Sequence, residues 1–110
     1  MLALAPAAPA AGGTASGLYG VVWQGPTQPV CRIDVPCSAP AQTTLVFTRF
    51  GRQFRVRTRT DGRYRAVLPP GIYAVTTAPR IGFGFLQPAR VKVRPARFDH
   101  LDFRADTGIR

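Results

Sequence analysis

Few residues of this chain could do chemistry. Its one His, His100, follows Asp99, and a carboxylate beside an imidazole is the raw material of a polarised general base. The nucleophile would have to be Ser16 or Ser38, and neither stands in a G-x-S-x-G elbow. Successive strand residues face opposite ways, so in an extended segment Asp99 and His100 do not share a face. There is no Glu, which leaves paired-carboxylate work to Asp99, Asp102 and Asp106; their spacing suits neither a calcium loop nor a glycosidase pair. Cys31 and Cys37 stand in C-R-I-D-V-P-C, which has neither redox nor zinc spacing, and no further Cys or nearby His could complete a metal site. The two cysteines are expected to form a disulfide. No catalytic residue, metal site or cofactor is expected.

The remaining candidates are binding residues. Arg55, Arg57 and Arg59 alternate with apolar residues, and Arg63 and Arg65 repeat the pattern after a turn. Such an Arg comb suits carboxylate and phosphate, and like charges brought opposite one another in a sheet call for an anion to relieve them. The plainer alternative is that these Arg residues simply solvate the outside of a sheet. Phe83 and Phe85, in the Gly-rich segment Ile81-Gly82-Phe83-Gly84-Phe85 with Arg80 and Arg90 near, could stack on bases or sugars, or plug the end of a sandwich.

These candidates need a scaffold, and 110 residues allow one domain with a single core. Fourteen Arg and Lys92 against five Asp leave a net charge of +10, an electrostatic footprint for an anionic glycan or other polyanion. Nucleic acid is not an expected partner. A disulfide implies an oxidising compartment. The stretch M-L-A-L-A-P-A-A-P-A-A points the same way: it is apolar, built of small residues, carries an A-x-A cleavage form at Ala8 to Ala10, and is too short to span a membrane. A secreted or cell-surface location without a transmembrane segment is therefore expected. The division is a leader over 1–16, a β-domain over 17–104 and a tail over 105–110.

No window has helical apolar spacing, whereas alternation and turn signals recur throughout. Leu18 to Trp23 reads as a strand with Leu18, Gly20 and Val22 on one face. Gly25 to Pro40, with four prolines, reads as a structured loop. Leu45 to Thr48, Gln53 to Thr58, Arg63 to Leu68, Tyr73 to Thr77, Arg90 to Val93 and Phe98 to Phe103 complete the set. Asp61-Gly62 predicts a hairpin joining Gln53–Thr58 to Arg63–Leu68. The sum is an all-β fold, an antiparallel Greek-key sandwich of about seven strands.

Four stretches carry a family resemblance. Gly17, Gly20 and Val22 at the start, T-D-G-R-Y at Thr60 to Tyr64, L-P-P-G-I-Y-A-V at Leu68 to Val75 and V-K-V at Val91 to Val93 together resemble the carboxypeptidase regulatory-like domain, a transthyretin-like β-sandwich. The resemblance implies a fold and an accessory or surface role, since its motifs are turns and core positions. The Cys31 to Cys37 loop is an addition to the pattern. Transthyretin-like enzymes that hydrolyse 5-hydroxyisourate use several His and a terminal Y-R-G-S, whereas this chain has one His and ends D-T-G-I-R.

The expected function is thus a non-enzymatic structural or adhesive module at the cell surface or in an extracellular assembly. It would associate with itself or with another surface protein, as a filament subunit if the leader or tail adds to a neighbour's sheet edge. The alternative is a binder of polyanions or glycans through an Arg-rich sheet face.

Overall fold

The computed structural model describes residues 15–82 and 86–109, and all regular structure there is β. In chain order the strands are β1 (Gly17–Gly25), β2 (Ala39–Pro40), β3 (Thr44–Arg49), β4 (Arg52–Arg57), β5 (Arg63–Val67), β6 (Gly71–Ala78), β7 (Leu86–Gln87), β8 (Arg90–Val93), β9 (Phe98–His100) and β10 (Phe103–Asp106). Six of them form a sheet around β1, and the other four form a second sheet in the order β4-β3-β6-β8. That makes ten strands rather than about seven. Two additions are two-residue pairings, β2 inside the segment expected to be a loop and β7 outside every expected strand, and the expected strand Phe98 to Phe103 is split into β9 and β10.

The split follows from the path of β1. Its first half lies between β5 and β9, its second half between β2 and β10. At the crossover a Cβ on Gly20 would run into the Leu101 carbonyl, so only glycine lets the chains approach this closely. There the Asp102 carboxylate accepts the Val21 N–H at 2.9 Å, in place of a backbone carbonyl. Both β9 and β10 run parallel to β1, against the antiparallel expectation, while the second sheet is antiparallel throughout. Alternation reports which face a residue takes and is blind to strand direction.

The expected hairpin is not formed. The tight turn is present, with the Gly62 N–H donating to the Arg59 carbonyl at 2.8 Å, but β4 pairs with β3 and β5 pairs with β1. The turn is an arch that carries the chain from one sheet to the other. Phe54 and Val56 of β4, and Tyr64 and Ala66 of β5, therefore all turn to the core from opposite sides. The true hairpin is β3–β4, closed by Phe50-Gly51 with φ of 50° and 77°, the signs of a type I′ turn.

The core is built from the inward positions of both sheets. Leu18, Val22, Tyr64, Ala66 and Phe103 come from the first, and Leu45, Phe47, Tyr73, Val75, Val91 and Val93 from the second. Phe47 bridges them, edge-on to Phe103 at 6.2 Å and to Tyr73 at 6.3 Å between ring centroids. The Tyr73 hydroxyl donates to the Pro69 carbonyl four residues back at 2.6 Å, the geometry of a tyrosine corner. Ser16, expected in the leader, is buried, and its hydroxyl donates to the Leu68 carbonyl at 2.6 Å. The tail is likewise part of the sheet as far as Asp106. Beyond it, Thr107 donates its N–H to Gly25 and its hydroxyl to the Pro26 carbonyl.

Cys31 and Cys37 form the expected disulfide, with Cα atoms 5.5 Å apart. Reducing this seven-residue loop, or replacing both Cys by Ser, should lower stability by about 2 kcal/mol on the chain-entropy account, read as a shift of the urea midpoint. Thr58 is the buried polar hinge of the arch, 2% exposed; its hydroxyl accepts the Thr43 N–H at 2.7 Å and donates to the Ala41 carbonyl at 2.7 Å. Thr58→Val keeps the shape and strands both partners, so it should cost about 1–3 kcal/mol in the same titration.

Candidate functional site

Side chains of the second sheet that do not enter the core form a broad outer face. Across it the register places Gln53, Thr48, Ala74 and Arg90 in one row, and Arg55, Val46 and Thr76 in the next. Arg57, Thr44 and Ala78 follow on one side, and Ile72 with Lys92 on the other. The cations thus stand on the two edge strands, β4 and β8, and the middle is small and uncharged. At about 4.8 Å per strand the two cationic edges are about 14 Å apart. All six charged residues of the four strands are cations: Arg49, Arg52, Arg55, Arg57, Arg90 and Lys92.

The five Asp lie elsewhere, on β9, on β10, just before β10, in the arch and in the disulfide loop. Among the described residues no ion pair involves Arg55, Arg57, Arg90 or Lys92. The carboxylates answer cations of the first sheet and its turns. Asp99 is gripped by Arg94 through two hydrogen bonds of 2.9 and 3.0 Å and approached by Arg97 at 3.2 Å. Asp61 lies 3.6 Å from Arg63.

The structure divides the comb expected from the sequence. Arg55 and Arg57 stay together on β4, and Arg59 sits in the arch. Arg63 and Arg65 lie on β5 of the other sheet, opposite Val21 and Tyr19 of β1 and not opposite the β4 cations. Arg65 is further occupied by the Phe98 ring, 4.3 Å below its guanidinium carbon. Arg90 and Lys92 take their place as the second row. They were legible in the V-K-V segment, but only sheet order shows that β8 is the edge opposite β4. Phe83 and Phe85 lie outside the described residues.

His100 is exposed and meets Asp102, not Asp99. Its Nε2 is 3.2 Å from the Asp102 carboxylate, and its ring leans on Tyr19 at 5.3 Å. That carboxylate oxygen also holds the Val21 N–H, so Asp102 is a clamp on the β1 crossover. The Ser16 hydroxyl is spent on Leu68, and Tyr64, which donates to the Leu101 carbonyl, is held protonated: burial first, then the Asp102 charge, pushes its pKa up. No nucleophile is thus presented to the imidazole by these neighbours.

Two clefts are formed by the described residues. One, of about 890 Å³, lies between the disulfide and β6, β7 and β10, with mainly apolar walls and Arg104 and Asp106 among its lining residues. The other, of about 480 Å³, runs along the seam between β8 and β9 past Leu18, Lys92, Asp99 and His100. Among the described residues no group of three His, Cys, Asp or Glu side chains could hold a metal ion. No helix there is long and apolar enough to cross a membrane.

No family model matches the chain, and no curated protein matches it in sequence. In structure it is similar to a DUF3823 family protein from Parabacteroides merdae, at a TM-score of 0.51 and 18% identity over 83% of this chain. The match spans 45% of that protein's length. At this identity the likeness bears on the fold alone, a β-rich one in both.

Asp99 supplies a test of the clamp at the β8–β9 turn. The Arg94 hydrogen bonds first, then the charges of Arg94 and Arg97, hold its carboxyl below the usual range against an opposing effect of burial. A carboxyl with a depressed folded pKa adds stability above its ordinary range and loses it as pH falls through the folded value. Urea midpoints of the native chain should therefore decline in acid, while Asp99→Asn should be less stable at neutral pH and decline less steeply.

Proposed function

We propose that this chain is a non-enzymatic, extracytoplasmic adhesive module, a transthyretin-like Greek-key sandwich that holds an anionic polymer, an acidic glycan first among them, on the outer face of its four-stranded sheet. The observation that carries the reading is charge segregation. Arg55, Arg57, Arg90 and Lys92 share a face on which no carboxylate answers them. Solvation alone would be served as well by cations mixed with acids, as on the first sheet. Gathered cations repel one another, and a polyanion removes that repulsion while releasing its own counterions. Arg forks suit carboxylate and sulfate oxygens, and the uncharged centre, Thr44, Val46 and Thr48 beside Ala74 and Thr76, separates the two rows.

The disulfide and the small-residue stretch at Met1 to Ala11 support export. The tyrosine corner in L-P-P-G-I-Y and the structural neighbour support the sandwich assignment. Joining of subunits by strand exchange has less support: Asp106, Thr107 and Gly108 are engaged within their own chain, and residues 1–14 lie outside the described ones.

Binding to dextran sulfate, followed by anisotropy across a salt series, tests the reading. Replacing Arg55, Arg57, Arg90 and Lys92 by Gln should flatten the log-log salt slope by about 3, at roughly 0.7 for each cation removed. Arg63→Gln with Arg65→Gln, on the other sheet, should leave the slope near that of the native chain. Equal losses in both variants, or no salt dependence in the native chain, would remove the assignment to this face.

A further inference from the structure

The β3–β4 hairpin tip carries a residue that its turn does not favour. A two-residue type I′ turn needs positive φ at both central positions, which Asn or Gly adopts readily. Gly51 satisfies this at φ 77°, and nothing stands within 4 Å of where its Cβ would be. Phe50 occupies the other position at φ 50°, a conformation in which a bulky side chain is strained. Its ring is 89% exposed. Phe50 takes no part in the core, and strain kept at an exposed site argues for use.

Its surroundings say what the use is. Phe50 lies two residues beyond the Thr48–Ala74 pair, the same step that leads on β6 to Ile72, which is 59% exposed and pairs with Lys92. Arg49 lies 4.7 Å from the Phe50 ring and is anchored by its donation to the Pro70 carbonyl at 3.0 Å, while Arg52, across the turn, packs over the Phe54 ring at 5.2 Å. One end of the cationic face therefore ends in two exposed apolar side chains, Phe50 beside Arg49 and Ile72 beside Lys92. A dissolved polyanion gains little from bare Phe and Ile. At a bilayer both can enter the boundary between headgroups and acyl chains while the cations meet anionic headgroups, and a shallow anchor of this kind needs both signals together.

We infer that the Phe50 hairpin tip docks the module on an anionic lipid surface, with Phe50 and Ile72 entering the interface and Arg49 and Lys92 meeting the headgroups. The inference rests on the cationic face proposed above and adds a specific occupant to one end of it.

Cosedimentation with vesicles of phosphatidylcholine, with and without phosphatidylglycerol, tests it beside dextran sulfate binding. The native chain should bind only the anionic vesicles. Phe50→Ser should weaken that binding about tenfold, the scale of an aromatic ring withdrawn from an interface, and leave dextran sulfate binding unchanged. In Phe50→Trp, emission should shift to the blue on anionic vesicles beyond any shift of the native chain, whose one Trp is half-buried Trp23. If Phe50→Ser sediments as the native chain does, or if the native chain binds dextran sulfate but no vesicle, the lipid inference falls and the polyanion reading stands. If it binds neither, both fall.

Discussion

Strand β1 is the constraint from which the rest of the fold follows. Nine residues long, it is hydrogen-bonded on one side by β5 and then β2, and on the other by β9 and then β10. Four strands from distant parts of the chain thus find their register on one template. That is possible only because Gly20 admits the Leu101 carbonyl and the Asp102 side chain replaces a missing backbone acceptor. The inward residues of β1, Leu18 and Val22, then lie at the floor of the core, and the second sheet closes over them through Phe47 and Tyr73.

Closing two amphipathic sheets on each other fixes where charge can go. Every outward position must be polar or tolerate water, and the two sheets meet this differently. The first mixes Arg63, Arg65 and Arg104 with Asp99 and Asp106, and its turns pair Arg94 and Arg97 with Asp99. The second carries cations alone. Since sequence distance between β4 and β8 is large, the excess comes from two separate segments that the β4-β3-β6-β8 order brings onto one face. Which cations share the face is visible only once the sheet order is known.

The facing of residues was legible in the sequence. Leu18, Val22, Tyr73, Val75, Phe54 and Val56 point inward as their alternation predicts, because a period of two records burial directly. Partners were not legible. Asp61-Gly62 has the chemistry of a hairpin, yet an arch needs the same positive φ at Gly62, and which one forms depends on whether β5 finds β4 or β1 more rewarding. The β1 pairing carries a long-range bond from the Val22 N–H to the Gly62 carbonyl, which leaves no local signal. The parallel course of β9 and β10, the His100 to Asp102 contact and the tie of Ser16 to Leu68 were hidden for the same reason.

The arch also decides what the arginines can do. Had β4 and β5 paired as a hairpin, Arg55 and Arg57 would have stood against Arg63 and Arg65, and the repulsion would have been local, at strand spacing of about 4.8 Å. The arch instead sends Arg63 and Arg65 to the first sheet, where Asp61 and the Phe98 ring receive them. It leaves β4 as an edge whose cations look across the uncharged outward positions of β3 and β6 toward Arg90 and Lys92. Repulsion at about 14 Å is weak in physiological salt, where the screening length is about 8 Å, so the unliganded sheet tolerates it. A polymer of closely spaced anions lying across the face meets both rows at once, so the distance that keeps the free sheet stable is also the one that favours a long ligand over a single ion.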